Sequence, residues 1–130
     1  MAGTFKFELV TPERMVVSEE ATQVVVPGTE GEFAVLPGHA PVVSSLRPGV
    51  LDATLSNARK VRVFVKGGLA ECDATHLTVL AERALDVEDL KGGTLSAELE
   101  LAERELAAAT DDDARFAASN AVAQLKALQR

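Results

Sequence analysis

The run Val26-Pro27-Gly28-Thr29-Glu30-Gly31-Glu32-Phe33-Ala34-Val35-Leu36-Pro37-Gly38-His39-Ala40-Pro41 decides the reading of the fold. It opens on the end of an apolar segment and passes through a glycine-rich turn. A short apolar strand follows, and the run closes on a second turn that places a histidine between glycine and alanine. Proline fixes φ and has no amide hydrogen to give to a sheet, while glycine accepts φ > 0, so such pairs end strands. Taken alone, the run is two tight turns around one strand. Glu30, Glu32 and His39 then stand on rigid backbone, and rigid groups bind a partner with less ordering entropy to lose.

The same pattern extends in both directions. Phe5, Phe7 and Leu9 alternate with Lys6 and Glu8. Val61, Val63 and Val65 alternate with Arg62, Phe64 and Lys66, and Leu77, Val79 and Ala81 with Thr78 and Leu80. Period-two alternation marks strands with an inner and an outer face. Phe64 and Leu80 fall on the outer phase, so those strands are expected to be covered on both sides, at least in part. Thr11-Pro12, Pro48-Gly49 and Gly67-Gly68 supply further turns. Strands are expected near 4–10, 14–17, 21–26, 32–36, 42–46, 49–55, 60–66, 69–72 and 76–82. Many short strands punctuated by Pro and Gly give an antiparallel β-sandwich of about nine or ten strands rather than a βαβ fold.

After Leu85 the period changes. Leu95, Leu99, Ala102, Leu106 and Ala109 form one stripe of a helix, preceded by the Gly92-Gly93 break, with Thr94 or Ser96 as the cap. Thr110 to Asp113 is a turn, and any of its three aspartates suits the start of a second helix. Ala118, Ala121, Val122, Leu125 and Leu128 make that helix's stripe, and Lys126 and Arg130 lie in its last turns. Eleven alanines between Ala97 and Ala127 bury little area each. The two helices form an antiparallel hairpin that is marginal alone and docks on the sandwich or on a partner. The expected division is a sandwich domain over 1–85 and a helical domain over 86–130.

Composition excludes several functions. The chain of 130 residues carries a net charge of -7 and one cysteine, Cys72, so no internal disulfide is available. Residues 1–85 hold 10 acidic and 8 basic side chains and residues 86–130 hold 10 and 5, a balance of -2 and -5. Nucleic-acid binding calls for a basic face with stacking aromatics, and aromatics here are 4 %, all phenylalanine. The amino terminus has no basic start followed by an apolar run, and no stretch approaches the roughly 20 apolar residues of a membrane span. His39 and His76 have no second ligand at metal-binding spacing. No Gly-x-Ser-x-Gly elbow, phosphate-binding loop or Gly-x-Gly-x-x-Gly is present. Cys72, in a strand beside Asp73, reads as a small buried residue rather than a nucleophile. No catalytic, cofactor or metal site is expected.

The Gly31 to Pro41 stretch resembles the signature of the epsilon-subunit family of F-type ATP synthases, in which Gly-Glu, a short apolar strand and Pro-Gly-His-Ala-Pro follow the third strand. Phe7-Glu8-Leu9-Val10-Thr11-Pro12-Glu13, Leu46-Arg47-Pro48-Gly49 and Val65-Lys66-Gly67-Gly68-Leu69-Ala70-Glu71 with Leu77 to Ala81 resemble the family's other strands and turns. The resemblance implies a non-catalytic rotor subunit of the central stalk that binds the gamma subunit and the c-ring and couples proton translocation to ATP synthesis. It implies that Thr29, Glu30, Gly31, Glu32 and Phe33 face the c-ring, Glu32 foremost. Pro37, Gly38, His39, Ala40 and Pro41 would lie in the same bottom region, near gamma and the ring. The helices would reach the catalytic alpha and beta subunits and weakly regulate ATP hydrolysis. The implied location is the cytoplasmic face of a bacterial inner or photosynthetic membrane, without direct insertion.

The chain departs from the family at one place. Some relatives bind ATP through an Ile/Leu-Asp-x-x-Arg-Ala run at the start of the helices. Here the run is Leu85-Asp86-Val87-Glu88-Asp89-Leu90, with Asp89 in place of the arginine and Leu90 in place of the alanine. A carboxylate repels a phosphate. An ATP-sensing inhibitory regulator of the same complex is therefore the second reading, with weak or absent ATP binding expected. An unrelated β-sandwich enzyme or ligand carrier is the third, and it lacks a nucleophile, base or metal cluster.

Overall fold

In the computed structural model, which describes residues 3–129, seven strands precede two helices. The strands are β1 (Phe5–Val10), β2 (Met15–Gly28), β3 (Gly31–Val35), β4 (Val42–Ser45), β5 (Gly49–Leu55), β6 (Lys60–Cys72) and β7 (His76–Asp86). A single 3-10 turn, Val87–Asp89, leads to α1 (Gly92–Ala108) and α2 (Asp112–Ala127). The order β1-β7-β6-β5-β2-β3, with β4 on β6 and β1 also on β2, folds one continuous sheet over itself. The expected sandwich followed by a helical hairpin is what the chain forms.

The strand count is lower than the turn signals suggest, because two pairs of expected strands are single long ones. β2 runs for 14 residues, since Ser18-Glu19-Glu20 is polar but holds no residue that breaks a ladder. It bends instead, with register shifts opposite Leu9/Val10 and between Ala21 and Gln23. β6 runs for 13 residues straight through Gly67-Gly68. Both glycines take positive φ, 68° and 121°, which turns the strand without ending it. β6 thus pairs β5 with its first half and β4 with its second, while β7 runs beside both. The sheet also contains one parallel pair, β1 with β7, where the alternation had implied antiparallel pairing throughout.

The inner faces supply the core. β1 alternates strictly, with Phe5, Phe7 and Leu9 buried, and these meet Val24, Val26, Val35, Leu51, Leu55, Val63, Val65, Leu77 and Val79. Each such side chain contributes about 1.5–3 kcal/mol on burial. The two outer-phase residues part company. Phe64 is fully buried under the helices, packed with Leu90, Leu95, Leu99, Ala102, Ala121 and Leu125. Leu80 stays 50 % exposed. The hairpin covers one side of β6 and leaves the outer face of β7 near Leu80 bare.

Capping differs between the helices. α1 starts at Gly92, so the glycine pair opens the helix instead of breaking before it. Gly92 takes φ +54°, and Lys91 stands at the cap without a side-chain hydrogen bond. Thr94 and Ser96 therefore lie inside the first turns and cap nothing. At α2 the expectation holds, and among the three aspartates the cap is Asp111, whose Oδ1 accepts from the Ala114 amide at 2.7 Å. Asp112 and Asp113 occupy the positive end of the helix dipole. Lys126 sits in the last turn, and Arg130 lies outside the described residues.

Candidate functional site

The two turns of the signature run lie at opposite ends of β3. Thr29 and Glu30 form the β2–β3 turn, both exposed, with Gly31 at φ +131°. The turn is braced from behind, because the Thr29 amide donates to Ser45 O at 3.0 Å and Gly28 bridges Leu46. A Cβ at Gly28 would stand 2.9 Å from Gly31 O and 3.1 Å from Phe33 Cε1, so only glycine fits beneath the turn. Glu32 points outward and Phe33 is half-buried. Thr29 to Phe33, together with Val42 to Ser45, line an open groove of about 530 Å³.

The Pro37 to Pro41 turn lies beyond the far end of β3. That strand has five residues, about 17 Å at roughly 3.3 Å per residue. Gly38, at φ +84°, donates its amide to Ala74 O at 2.9 Å, and the His39 amide donates to Leu36 O at 3.1 Å. The His39 ring folds back over the chain. Its Nδ1 lies 2.6 Å from Ala40 O and 3.4 Å from Cys72 Sγ, and the Cys72 thiol faces Ala40 O at 3.7 Å. Burial raises the Cys72 thiol above its ordinary pKa. Thus Glu30 and Glu32 share one end of the β3–β4 edge, while His39, Ala40 and Pro41 share the other. Pro41 and Cys72 line a second open groove, of about 360 Å³, with Asp73 and His76. Asp73 Oδ1 accepts from the Thr75 and His76 amides, both at 2.9 Å, which holds its carboxyl below the usual range.

A third surface was readable only in part. Leu80 pairs Leu69 on one side and Val10 on the other, and Leu69 pairs Ser45. One row along, Val43 pairs Glu71, Glu71 pairs Thr78, and Thr78 pairs Glu8. Val43, Leu69 and Leu80 are 63 %, 37 % and 50 % exposed, so a bare apolar strip crosses β4, β6 and β7, with half-buried Val10 of β1 at its end and carboxylates along its rim. Leu80 on the outer phase was its single signal in the sequence. Val43 and Leu69 gave none, because the register that sets them beside Leu80 depends on the bend at Gly67-Gly68.

The Leu85 to Leu90 run is a structural joint. Asp86 Oδ1 accepts from the Glu88 amide at 2.8 Å, Leu90 is buried in the helix seat, and Asp89 is exposed. Among the described residues no three His, Cys, Asp or Glu side chains are grouped to hold a metal ion. No helix there is long and apolar enough to cross a membrane.

Braced turns, a bare apolar strip and a docked hairpin define a binding domain of the adapter class. Comparison with known proteins gives the family. The model of the ATP synthase delta/epsilon chain β-sandwich domain matches residues 4–87. The ATP synthase epsilon chain of Parvibaculum lavamentivorans is 42 % identical over 129 residues, which is 99 % of this chain and 98 % of that one. The fold recurs at 22 % identity and a TM-score of 0.74 in the Euglena gracilis mitochondrial ATP synthase, solved as OSCP/F1/c-ring, over 96 % of this chain and 79 % of that one. It recurs again at 12 % identity and a TM-score of 0.69 in the central stalk/c-ring of the Tetrahymena thermophila mitochondrial enzyme, over 98 % of both chains. The chain belongs to the ATP synthase delta/epsilon chain family and is a non-catalytic subunit of the epsilon type, peripheral to the membrane.

Proposed function

We propose that this chain is the central-stalk subunit that joins the gamma subunit to the c-ring of a bacterial ATP synthase, turning with the rotor and coupling proton translocation to ATP synthesis. The observation that carries this reading is the likeness to an epsilon chain over 99 % of the chain. The surfaces give it a form. The apolar strip of Val10, Val43, Leu69 and Leu80 takes gamma, since an exposed apolar patch with a charged rim is an interface signature. Glu8 and Glu71 on that rim favour cations on the partner. The Thr29 to Phe33 turn, with Glu32 foremost, takes the polar loops of the c-ring. The Pro37 to Pro41 turn with His39, at the other end of β3, extends the contact toward gamma.

In this reading residues 1–85 are the adhesive unit and residues 86–130 a separate helical unit that reaches the alpha and beta subunits. The complex works at the cytoplasmic face of a bacterial inner or photosynthetic membrane. ATP binding by the helical unit is weak or absent, because Asp89 stands where a cation is needed and Leu90 is committed to the helix seat. The test is reconstitution of the complete synthase in vesicles with and without the chain. Proton-driven ATP synthesis falls without it and returns on its addition. Full coupled synthesis in its absence would refute the proposal.

A further inference from the structure

Among the described residues two ion pairs cross from the strands to the helices, and both end on α1. Lys66 of β6 donates from Nζ to Glu105 Oε1 at 2.9 Å, and Arg83 of β7 donates from Nη2 to Glu98 Oε2. The two pairs differ in environment. Glu105 is 49 % exposed, so its pair is open to solvent screening. The Glu98 side chain is only 8 % exposed, and its second oxygen, Oε1, is buried without a hydrogen-bond partner. A carboxylate withdrawn from water with one oxygen unmet depends on its single cation. That cation, Arg83, is 49 % exposed and within reach of salt.

The rest of the seat is shallow. Phe64 and Leu90 meet three leucines and two alanines of the helices. α2 enters with buried Ala121 and Leu125 and partly buried Val122 and Leu128, and none of its described ion pairs reaches the strands. Apolar area of this kind holds a hairpin to a sheet without fixing its position along it, because dispersion and burial are not directional. Of the two directional contacts, Lys66 with Glu105 and Arg83 with Glu98, the one that ends on a buried carboxylate is the less screened.

We propose that Arg83 and Glu98 form a clasp that fixes the helical hairpin in its docked position on β6 and β7, so that losing the pair frees α1, and α2 with it, while the sandwich stays folded. The exposed guanidinium makes the clasp salt-labile, and the unmet oxygen leaves the bound arrangement poised rather than maximally stable. The inference concerns the chain itself and stands apart from the rotor partners, so the test uses the isolated full-length protein.

Backbone hydrogen exchange is followed for Leu95 to Ala102 in α1 and, as an internal control, for Leu51 and Val63 in the sandwich. Arg83→Ala is expected to speed exchange in α1 on the order of tenfold or more, with the sandwich amides unchanged. Raising salt from about 0.05 M to about 1 M, where the screening length falls to about 3 Å, moves the wild type toward the variant. The paired replacement Arg83→Met with Glu98→Leu, which fills the site with apolar volume, keeps α1 protected and removes the salt dependence. The proposal fails if Arg83→Ala leaves α1 unchanged, or if the sandwich amides speed up in step with it. It fails equally if the apolar pair responds to salt as the wild type does.

Discussion

Gly68 lies so close to Leu80 that a Cβ built on it would stand 2.0 Å from the Leu80 carbonyl oxygen. This one approach lets β6 bend without parting from β7, and it carries Leu69 to the side of Leu80. The neighbouring Gly67 has a softer obstacle, the Glu82 carboxylate at 2.7 Å, which is the far end of a flexible side chain. Gly68→Ala should therefore be much more damaging than Gly67→Ala. The positive φ alone costs Gly68→Ala about 1–3 kcal/mol, and the collision with backbone adds to that. Denaturant unfolding of the two variants checks the order.

Ala58 takes φ +69° in the turn between β5 and β6. A residue with a Cβ carries roughly 1–2 kcal/mol of strain in that region. Ala58→Gly should stabilise the protein by about 0.5–1 kcal/mol once the added freedom of the unfolded chain is subtracted. Asn57, which already accepts the Arg59 amide at 3.0 Å, keeps the turn in place. A rise in melting temperature with unchanged cooperativity is the expected reading.

The Cys72 thiol gives a pH dependence with a definite sign. Burial raises its folded pKa above the ordinary 9.0, so the folded state prefers the neutral thiol. The stabilisation is complete below the unfolded pKa and is lost as pH rises through the folded one. Stability should decline in alkaline solution above about pH 9, and Cys72→Ala should decline less over the same range. Thiol labelling of the native protein should be slow, because Cys72 is a buried residue whose sulfur faces His39 and Ala40.

Asp111 tests how far the hairpin is its own unit. Its carboxylate caps α2 at the Ala114 amide. Asp111→Ala should cost about 1 kcal/mol, felt in hydrogen exchange at the start of α2 and not in β1 or β5.

Much of this architecture was written in local chemistry. The alternation of Phe5, Phe7 and Leu9, and the stripe from Leu95 to Ala102, each point to one element and one buried face. What escaped was long-range. Gly67-Gly68 reads as a turn from its neighbours, and only its place between β4, β5 and β7 makes it a bend. Gly92-Gly93 reads as a stop, yet the helix starts there, with a glycine taking the positive φ. The Pro37 to Pro41 turn announced itself by residue type, but its attachment to Cys72 and Ala74 lies more than thirty positions away in the chain. The partner of Glu98 was hidden in the same way, since nothing near Glu98 in the sequence marks Arg83 as the group beneath it.

The measurement that tests the central claim most directly is the affinity of the purified gamma subunit for this chain, wild type against Leu80→Asp. Leu80 is half exposed, so the variant keeps its core, and far-ultraviolet circular dichroism verifies that it does. The account predicts a stable wild-type complex, weakened by on the order of tenfold or more when a charge is placed in the centre of the strip. No binding by the wild type, or equal binding by both, would contradict it.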